Sequence, residues 1–484
     1  MSLPTLAELP GILQPFVTRA EQSFRTAVAA LDDDHGLSVW TSERWAQFAR
    51  VTASSDFVTE QCVRDPLMLL ALVQSGELDR SFTPGELCGQ IAAAANAAQT
   101  DDELGRALRR QRNRQQVRII WRDLTRQADL VQTCRDLSDM ADASIDQAYQ
   151  WLYARHCQQF GVPTGRRSGE PQPMVILGMG KLGAVELNLS SDIDLIFAYP
   201  EGGETVGVKR SLDNQEFFIR LGQRLIKALD PMTVDGFVFR VDMRLRPYGS
   251  AGALVLSFNA LEQYYQDQGR DWERYAMIKS RVVAGDQVAG AQLQETLRPF
   301  VYRRYLDFSA IEALRTMKQL IQQEVRRKGM ADNIKLGSGG IREVEFIAQA
   351  FQLIHGGRDL SLQQRPLLKV LNTLEGQGYL PPAVISELRD GYEFLRYTEH
   401  AIQAIADRQT QMLPDGAEDQ ARIAFMLGFA DWNAFHERLM YWRGRVAWHF
   451  AQVIADPDEE EGTQSEVVVG GEWLPLWEEA QDEE

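Results

Sequence analysis

Hydrophobic and polar positions follow three regimes along this chain. Residues 1–160 keep to a helical spacing. In the stretch 101–129, Leu104, Leu108, Val117, Ile120 and Leu124 recur at the intervals of one inward helix face. Ser55 or Asp56 stands where a helix N-cap is expected, and residues 139–160 continue as helix. Residues 161–173, rich in Gly, Pro and Arg, read as a boundary loop. From 174 the period changes. Val175-Ile176-Leu177 is a short apolar run, residues 192–197 are a strand-like run with two acids spaced by two, and residues 237–246 alternate. There Phe237, Phe239, Val241, Met243 and Leu245 are apolar, while Arg240, Asp242, Arg244 and Arg246 are charged. Residues 254–258 form a further strand. Residues 212–229 return to helical spacing through Phe217, Leu221, Leu225 and Leu229, and residues 271–281 also read as helix. Residues 291–455 are helical throughout, and no repeat of 20–50 residues is visible.

This pattern predicts an α+β, predominantly helical protein. A small mixed sheet of three or four strands between residues 174 and 260 is enclosed by helices. The expected division is an N-terminal helical region, 1–160, a central α/β unit, 161–290, and a C-terminal helical domain, 291–455. Residues 456–484 form an acidic linker.

The central unit carries the chemistry. The apolar run ends in the turn Gly178-Met179-Gly180-Lys181-Leu182-Gly183, and ten residues lie between Lys181 and Asp192. Side chains i and i+2 of a strand share a face, so Asp192 and Asp194 point together while Ile193, Leu195 and Phe197 enter a core. Two carboxylates held on one face repel unless a cation lies between them, and hard divalent cations take oxygen ligands of this kind. A lone D-x-D or G-x-G is common and says little. The order of strand, glycine turn, spacer and paired acids describes metal-assisted phosphoryl or nucleotidyl transfer. Asp242, flanked by arginines on one strand face, suits a third metal ligand amid guanidinium groups that hold phosphates.

These motifs resemble the polymerase-β-like nucleotidyltransferase superfamily. More closely, GMGKLG at 178–183, ELNLSSDIDLIF at 186–197, VDMRLRP at 241–247, DWERYAMIKSR at 271–281 and KLGSGGIREVEF at 335–346 resemble the family of bifunctional glutamine synthetase adenylyltransferase/adenylyl-removing enzymes. The resemblance covers most of residues 50–450, and the ELNLSSDIDLIF wording resembles that of the N-terminal, adenylyl-removing half. One departure is Ala184, where the family commonly has a second glycine. Alanine suits the turn unless φ there is positive.

The resemblance implies a polymerase-β-like core that removes AMP from a tyrosine of glutamine synthetase by phosphorolysis, with phosphate entering and ADP leaving. Mg²⁺ would sit on Asp192, Asp194 and Asp242. Gly178, Gly180, Lys181, Gly183 and Ser191 would hold phosphate or nucleotide, with Arg244, Arg246 and Arg342 as further anion contacts. Arg274, Lys279 and Arg281 are expected near the site, and Glu343 and Glu345 are candidates by resemblance. A PII-type signalling protein is an implied partner. Two alternatives stay open at this stage. One is ATP-dependent adenylylation of the same tyrosine, and the other is a non-catalytic module that binds a PII-type protein.

Composition changes this picture little. The chain has 484 residues, 44% hydrophobic and 25% charged, as in ordinary globular proteins. Of its net charge of −17, twelve acids and no base fall between Asp456 and Glu484, leaving about −5 for the rest. That argues against a nucleic-acid surface. The eight arginines from Arg106 to Arg126 read as the solvated basic face of a long helix. Cys62, Cys88, Cys134 and Cys157 are too scattered for a zinc or disulfide framework. No signal peptide or apolar span of ~18 residues is present, so a cytoplasmic location without membrane contact is expected. The ending, with Trp473 and Trp477 after the acidic linker, suggests a natural chain that continues.

Overall fold

The computed structural model describes residues 9–31, 37, 40–303, 330 and 332–453. The acidic linker and the residues after it lie outside these. Among the described residues seven helices precede the sheet: α1 (Gln14–Ala29), α2 (Ser42–Ser54), α3 (Asp56–Arg64), α4 (Pro66–Gln74), α5 (Glu86–Asn96), α6 (Asp101–Leu124) and α7 (Leu130–Phe160). Caps set their starts. Ser55 Oγ accepts from the Val58 amide at 3.2 Å, and Thr100 Oγ1 accepts from Glu103 at the same distance.

All five expected inward positions of α6 are buried, but the basic face is solvated only in part, at Arg106 and Arg110. Arg109, Arg112, Arg118 and Arg122 are buried as well, because α6 is surrounded rather than laid on a surface. Three of these cations have clear partners, Arg112, Arg118 and Arg122. Arg118 donates to Asp136 at 2.9 Å and to the carbonyls of Glu77 and Arg80, and its guanidinium lies 3.7 Å from the Phe82 ring centroid. Arg112 pairs with Asp407, from the C-terminal helices, at 2.7 Å.

The central unit contains β1 (Val162–Gly165), β2 (Val175–Gly178), the single turn α8 (Gly180–Gly183), β3 (Ile193–Tyr199), β4 (Gly203–Val206), α9 (Asn214–Leu229), β5 (Val241–Asp242), β6 (Val255–Ser257), α10 (Phe258–Asp267), α11 (Asp271–Met277), β7 (Arg281–Gly285) and α12 (Gln287–Val301). The main sheet runs β5-β3-β2-β7, with β6 also on β3. β2 is antiparallel to β3 and β7, whereas β5 and β6 are parallel to β3. β1 and β4 form a separate antiparallel ribbon. α9 buries Phe218, Leu221 and Leu225, with Phe218 on Tyr199 of the sheet, Phe217 faces Tyr153 and His156 of α7, and Gly222 lets the helix approach Phe197 closely.

Three expectations are corrected here. Residues 161–173 contain a strand, β1, despite Pro163. The strand expected over 237–246 is only β5, two residues long, because the amides of Val238 and Phe239 donate to the Leu229 carbonyl and Arg246 turns back to Met243. Arg281 belongs to strand β7, not to the helix before it.

After the sheet come α13 (Ile341–His355), α14 (Leu367–Gly376), α15 (Pro382–Ala406), α16 (Ala417–Leu427) and α17 (Trp432–Val453). They return to the N-terminal helices: Arg422 of α16 pairs with Asp56 of α3 at 2.8 Å. No helix among the described residues is long and apolar enough to cross a membrane.

Candidate active site

Between β2 and its antiparallel neighbour β3 the chain turns sharply, and Gly180 supplies the turn. Its φ is +51°, and a Cβ there would lie 2.9 Å from Asp194 Oδ2. Left-handed backbone and a carboxylate against the Cα both call for glycine. At Gly183 a Cβ would fall 1.8 Å from the Lys279 carbonyl, so α8 packs directly on the chain entering β7. Gly178 lies at the end of β2, against Val283. The Met179 amide donates to the Asp194 carbonyl at 2.9 Å, tying the turn to the acid-bearing strand. Ala184 has φ −82°, so alanine is at ease there. The left-handed residue is its neighbour Val185, at φ +60°, which is unusual for a β-branched side chain.

Asp192 immediately precedes β3 and Asp194 lies in it. Parallel pairing places Asp194 opposite Asp242 of β5. Carboxylate oxygens of Asp192, Asp194 and Asp242 lie within 4.8 Å of one another. Burial, then the charges of Asp192 and Asp242, push the Asp194 carboxyl well above the usual carboxylate range. Three hard oxygen donors whose mutual repulsion a cation would relieve fit a divalent metal such as Mg²⁺. Arg244 meets part of that need: its Nε lies 2.9 Å and its Nη2 2.6 Å from Asp242 Oδ2, and its amide also donates to Asp242.

Ser191 and Lys181 line the same cleft, as do Trp272 and Tyr275 of α11 and Lys335, Arg342 and Glu345 around the start of α13. Lys181 is committed: its Nζ lies 3.0 Å from Glu399 Oε2 of α15 and 3.3 Å from Asn188 Oδ1. Burial, then Arg396, lowers its pKa to about 8. Lys279 Nζ is held by Glu345 at 2.6 Å and by Glu186 at 3.6 Å. Burial alone would raise Glu345, but Lys279 and Lys181 outweigh it and hold this carboxyl below its usual range. Arg396 lies 3.3 Å from Glu399 and donates to Asn188 at 2.7 Å. Lys181, Lys279 and Arg396 thus face Glu186, Glu345 and Glu399 in one buried network.

Other expected residues are placed elsewhere. Arg246 donates to the carbonyls of Met243, Ser250 and Gly252, bracing a loop. Arg281 holds Asp142 and the carbonyls of Leu182 and Gly183, so it supports α8 from behind. Arg274 donates to the Val301 carbonyl. Glu343 turns back to the Gly339 amide. The glycine turn before α13 serves packing: a Cβ on Gly339 would lie 2.0 Å from the Arg443 carbonyl. The amides of Ile341, Arg342 and Glu343 already donate to the carbonyls of Ile334, Lys335 and Gly340. Arg342 does reach the cleft, and burial lowers its pKa to about 10. Lys335 was missed as a site residue from sequence; the only signal was its place at the head of KLGSGGIREVEF.

A predominantly helical α+β chain with three acids across adjacent strands beside a glycine turn has a nucleotidyltransferase-like fold. Comparison with known families agrees, the glutamate-ammonia ligase adenylyltransferase family model matching residues 45–296 and that of GlnD PII-uridylyltransferase residues 315–454. The chain belongs to the glutamate-ammonia ligase adenylyltransferase family. It is 79% identical to a bifunctional glutamine synthetase adenylyltransferase/adenylyl-removing enzyme of Pseudomonas syringae pv. tomato, over 100% of this chain and 50% of the relative. The relatives of the same name from Pseudomonas putida and Nitrosococcus oceani are 78% and 51% identical, over 100% and 96% of this chain and 49% and 48% of theirs. The chain therefore spans about half the length of the curated relatives it matches.

Proposed function

We propose that this chain removes AMP from an adenylylated tyrosine of glutamine synthetase by Mg²⁺-dependent phosphorolysis. The observation that carries this reading is the convergence of Asp192, Asp194 and Asp242 within 4.8 Å, beside a cleft also lined by Lys335 and Arg342. The relatives' name and the ELNLSSDIDLIF motif supply the substrate and the direction.

An oxygen of inorganic phosphate attacks the AMP phosphorus, forming the new P–O bond of ADP. The bond from phosphorus to the tyrosine oxygen breaks, its electron pair stays on that oxygen, and a proton restores the phenol. A phenol with a pKa of about 10 leaves without a strong general acid. Asp192, Asp194 and Asp242 would hold the metal, which supplies charge neutralisation for two anions that must meet. Gly180 keeps the turn close to Asp194, and Arg244 orients Asp242. Arg342 lends positive charge to the cleft wall.

In this reading residues 161–290 form the catalytic unit between helical regions 1–160 and 291–455. The match of residues 315–454 to a PII-uridylyltransferase model supports a PII-type protein as regulator, acting in the cytoplasm. The test is to supply adenylylated glutamine synthetase, phosphate and Mg²⁺ and to measure ADP. Transfer of label from ATP onto the unmodified protein, without phosphate-driven ADP release, would assign the opposite direction. Neither reaction would leave a regulatory module.

A further inference from the structure

The geometry points to Lys335 as the residue that grips the phosphate group of the reacting ligand, in place of the motif lysine Lys181. This rests on the reaction proposed above and adds the seat of its anionic co-substrate.

Lysines 181, 279 and 335 all line the cleft. Lys181 and Lys279 are buried and each is ion-paired, to Glu399 and Glu345. Glu399 itself is fully buried. A phosphate that drew Lys181 away would leave that carboxylate buried with one cation fewer, so the pair is a poor anion receptor. Lys335 differs on each count. It is half-buried, and among the described residues its ammonium has neither an ion pair nor a hydrogen bond. Its charge bears on Asp194, Glu345 and Glu399, which places it in the field of the acids.

The backbone beneath Lys335 is fixed while the side chain is uncommitted. Asn333 Oδ1 accepts from the amides of Lys335 and Leu336, both at 2.9 Å. The Lys335 carbonyl accepts from Arg342 at 3.1 Å, and Gly339 locks the far side of the turn against Arg443. A cation on a rigid base, free of a carboxylate partner and facing a triad of acids, is built to close on an anion that enters between them.

The experiment uses the full chain with Mg²⁺. Lys335→Met is expected to raise the KM for phosphate about tenfold, as for loss of one charge-assisted hydrogen bond. The KM for adenylylated protein should stay within about twofold, and Lys335→Arg should restore most of the loss. Lys181→Met should instead lower the thermal midpoint. A phosphate KM unchanged in Lys335→Met, or raised selectively in Lys181→Met, overturns the assignment. Calorimetric titration with ADP separates the two proposals, because it needs no turnover. About tenfold weaker ADP binding by Lys335→Met supports the site even where the wild-type chain releases no ADP from the protein substrate. Turnover by the wild-type chain with ADP affinity and phosphate KM both unchanged in Lys335→Met sinks the site alone.

Discussion

Lys181 Nζ and Glu399 Oε2 lie 3.0 Å apart although 218 residues separate them in the chain. The pair joins the glycine turn of the sheet to α15, and Arg396 closes on the same carboxylate. Removing the acid leaves two buried cations facing each other. Glu399→Ala is expected to destabilise the fold by about 3–5 kcal/mol. Urea unfolding of the two chains measures this, and a loss below about 1 kcal/mol would show that the network is hydrated and weak.

Asp192→Asn and Asp194→Asn should each lower turnover more than about a hundredfold, since even residues that only orient metal ligands have effects of that size. The fold should survive. Asp194→Asn relieves like-charge repulsion and burial of a carboxylate, so its thermal midpoint in metal-free buffer should match or exceed that of the parent. Wild-type rates for either variant at saturating Mg²⁺ would remove these residues from the metal site.

Gly180→Ala should reduce turnover while a neighbouring change does not. The new methyl group would sit at φ +51° and 2.9 Å from Asp194 Oδ2, displacing a carboxylate of the triad, with a stability loss of about 1–3 kcal/mol. Ala184→Gly, at φ −82°, should lose about 1 kcal/mol or less and keep its rate. Equal rates for the parent and Gly180→Ala would mean that the turn tolerates the shift.

His156 sets an acid limit on stability. It is buried between Phe160 and Phe217, with Arg224 Nη1 3.0 Å from Nδ1. Burial, then Arg224, lowers its pKa to about 4. As the pH falls below about 6.5, the unfolded chain takes up a proton that the folded chain refuses until about 4. Stability is therefore lost on acidification, by about 2 kcal/mol at pH 5. Urea midpoints at pH 7 and pH 5 should differ less in His156→Gln than in the parent; an equal difference would exonerate this histidine.

The three acids were legible in the sequence because strand alternation is local. Asp192 and Asp194 share a face by spacing alone, and Asp242 needed only a parallel neighbour in register. Four arginines of α6, Arg109, Arg112, Arg118 and Arg122, were misread because a helical wheel shows which residues face alike, not how many sides are covered. Asp407, the partner of Arg112, lies far along the chain. Arg281 was taken as helix and the rest of β7 was missed, because no Gly or Pro separates it from the helix Asp271–Met277 and β2 had to be in place to recruit it. Lys181 was read as a phosphate ligand from its place in the turn. Glu399, which occupies it, carries no local signal.

The buried network of Lys181, Lys279, Arg396, Glu186, Glu345 and Glu399 also bears on how this protein can be cut. Its charges come from the sheet unit and from α13 and α15. Excising residues 161–290 as a minimal catalyst would sever the Lys181–Glu399 and Lys279–Glu345 pairs, strip Arg396 from its seat and expose the faces of α9 and β7 that α7 covers. Such a fragment carries every acid of the triad yet lacks the counter-charges that hold its turn in place. The smallest working piece must therefore run at least from α7 through α15, so modularity in this chain stops short of the sheet that bears the chemistry.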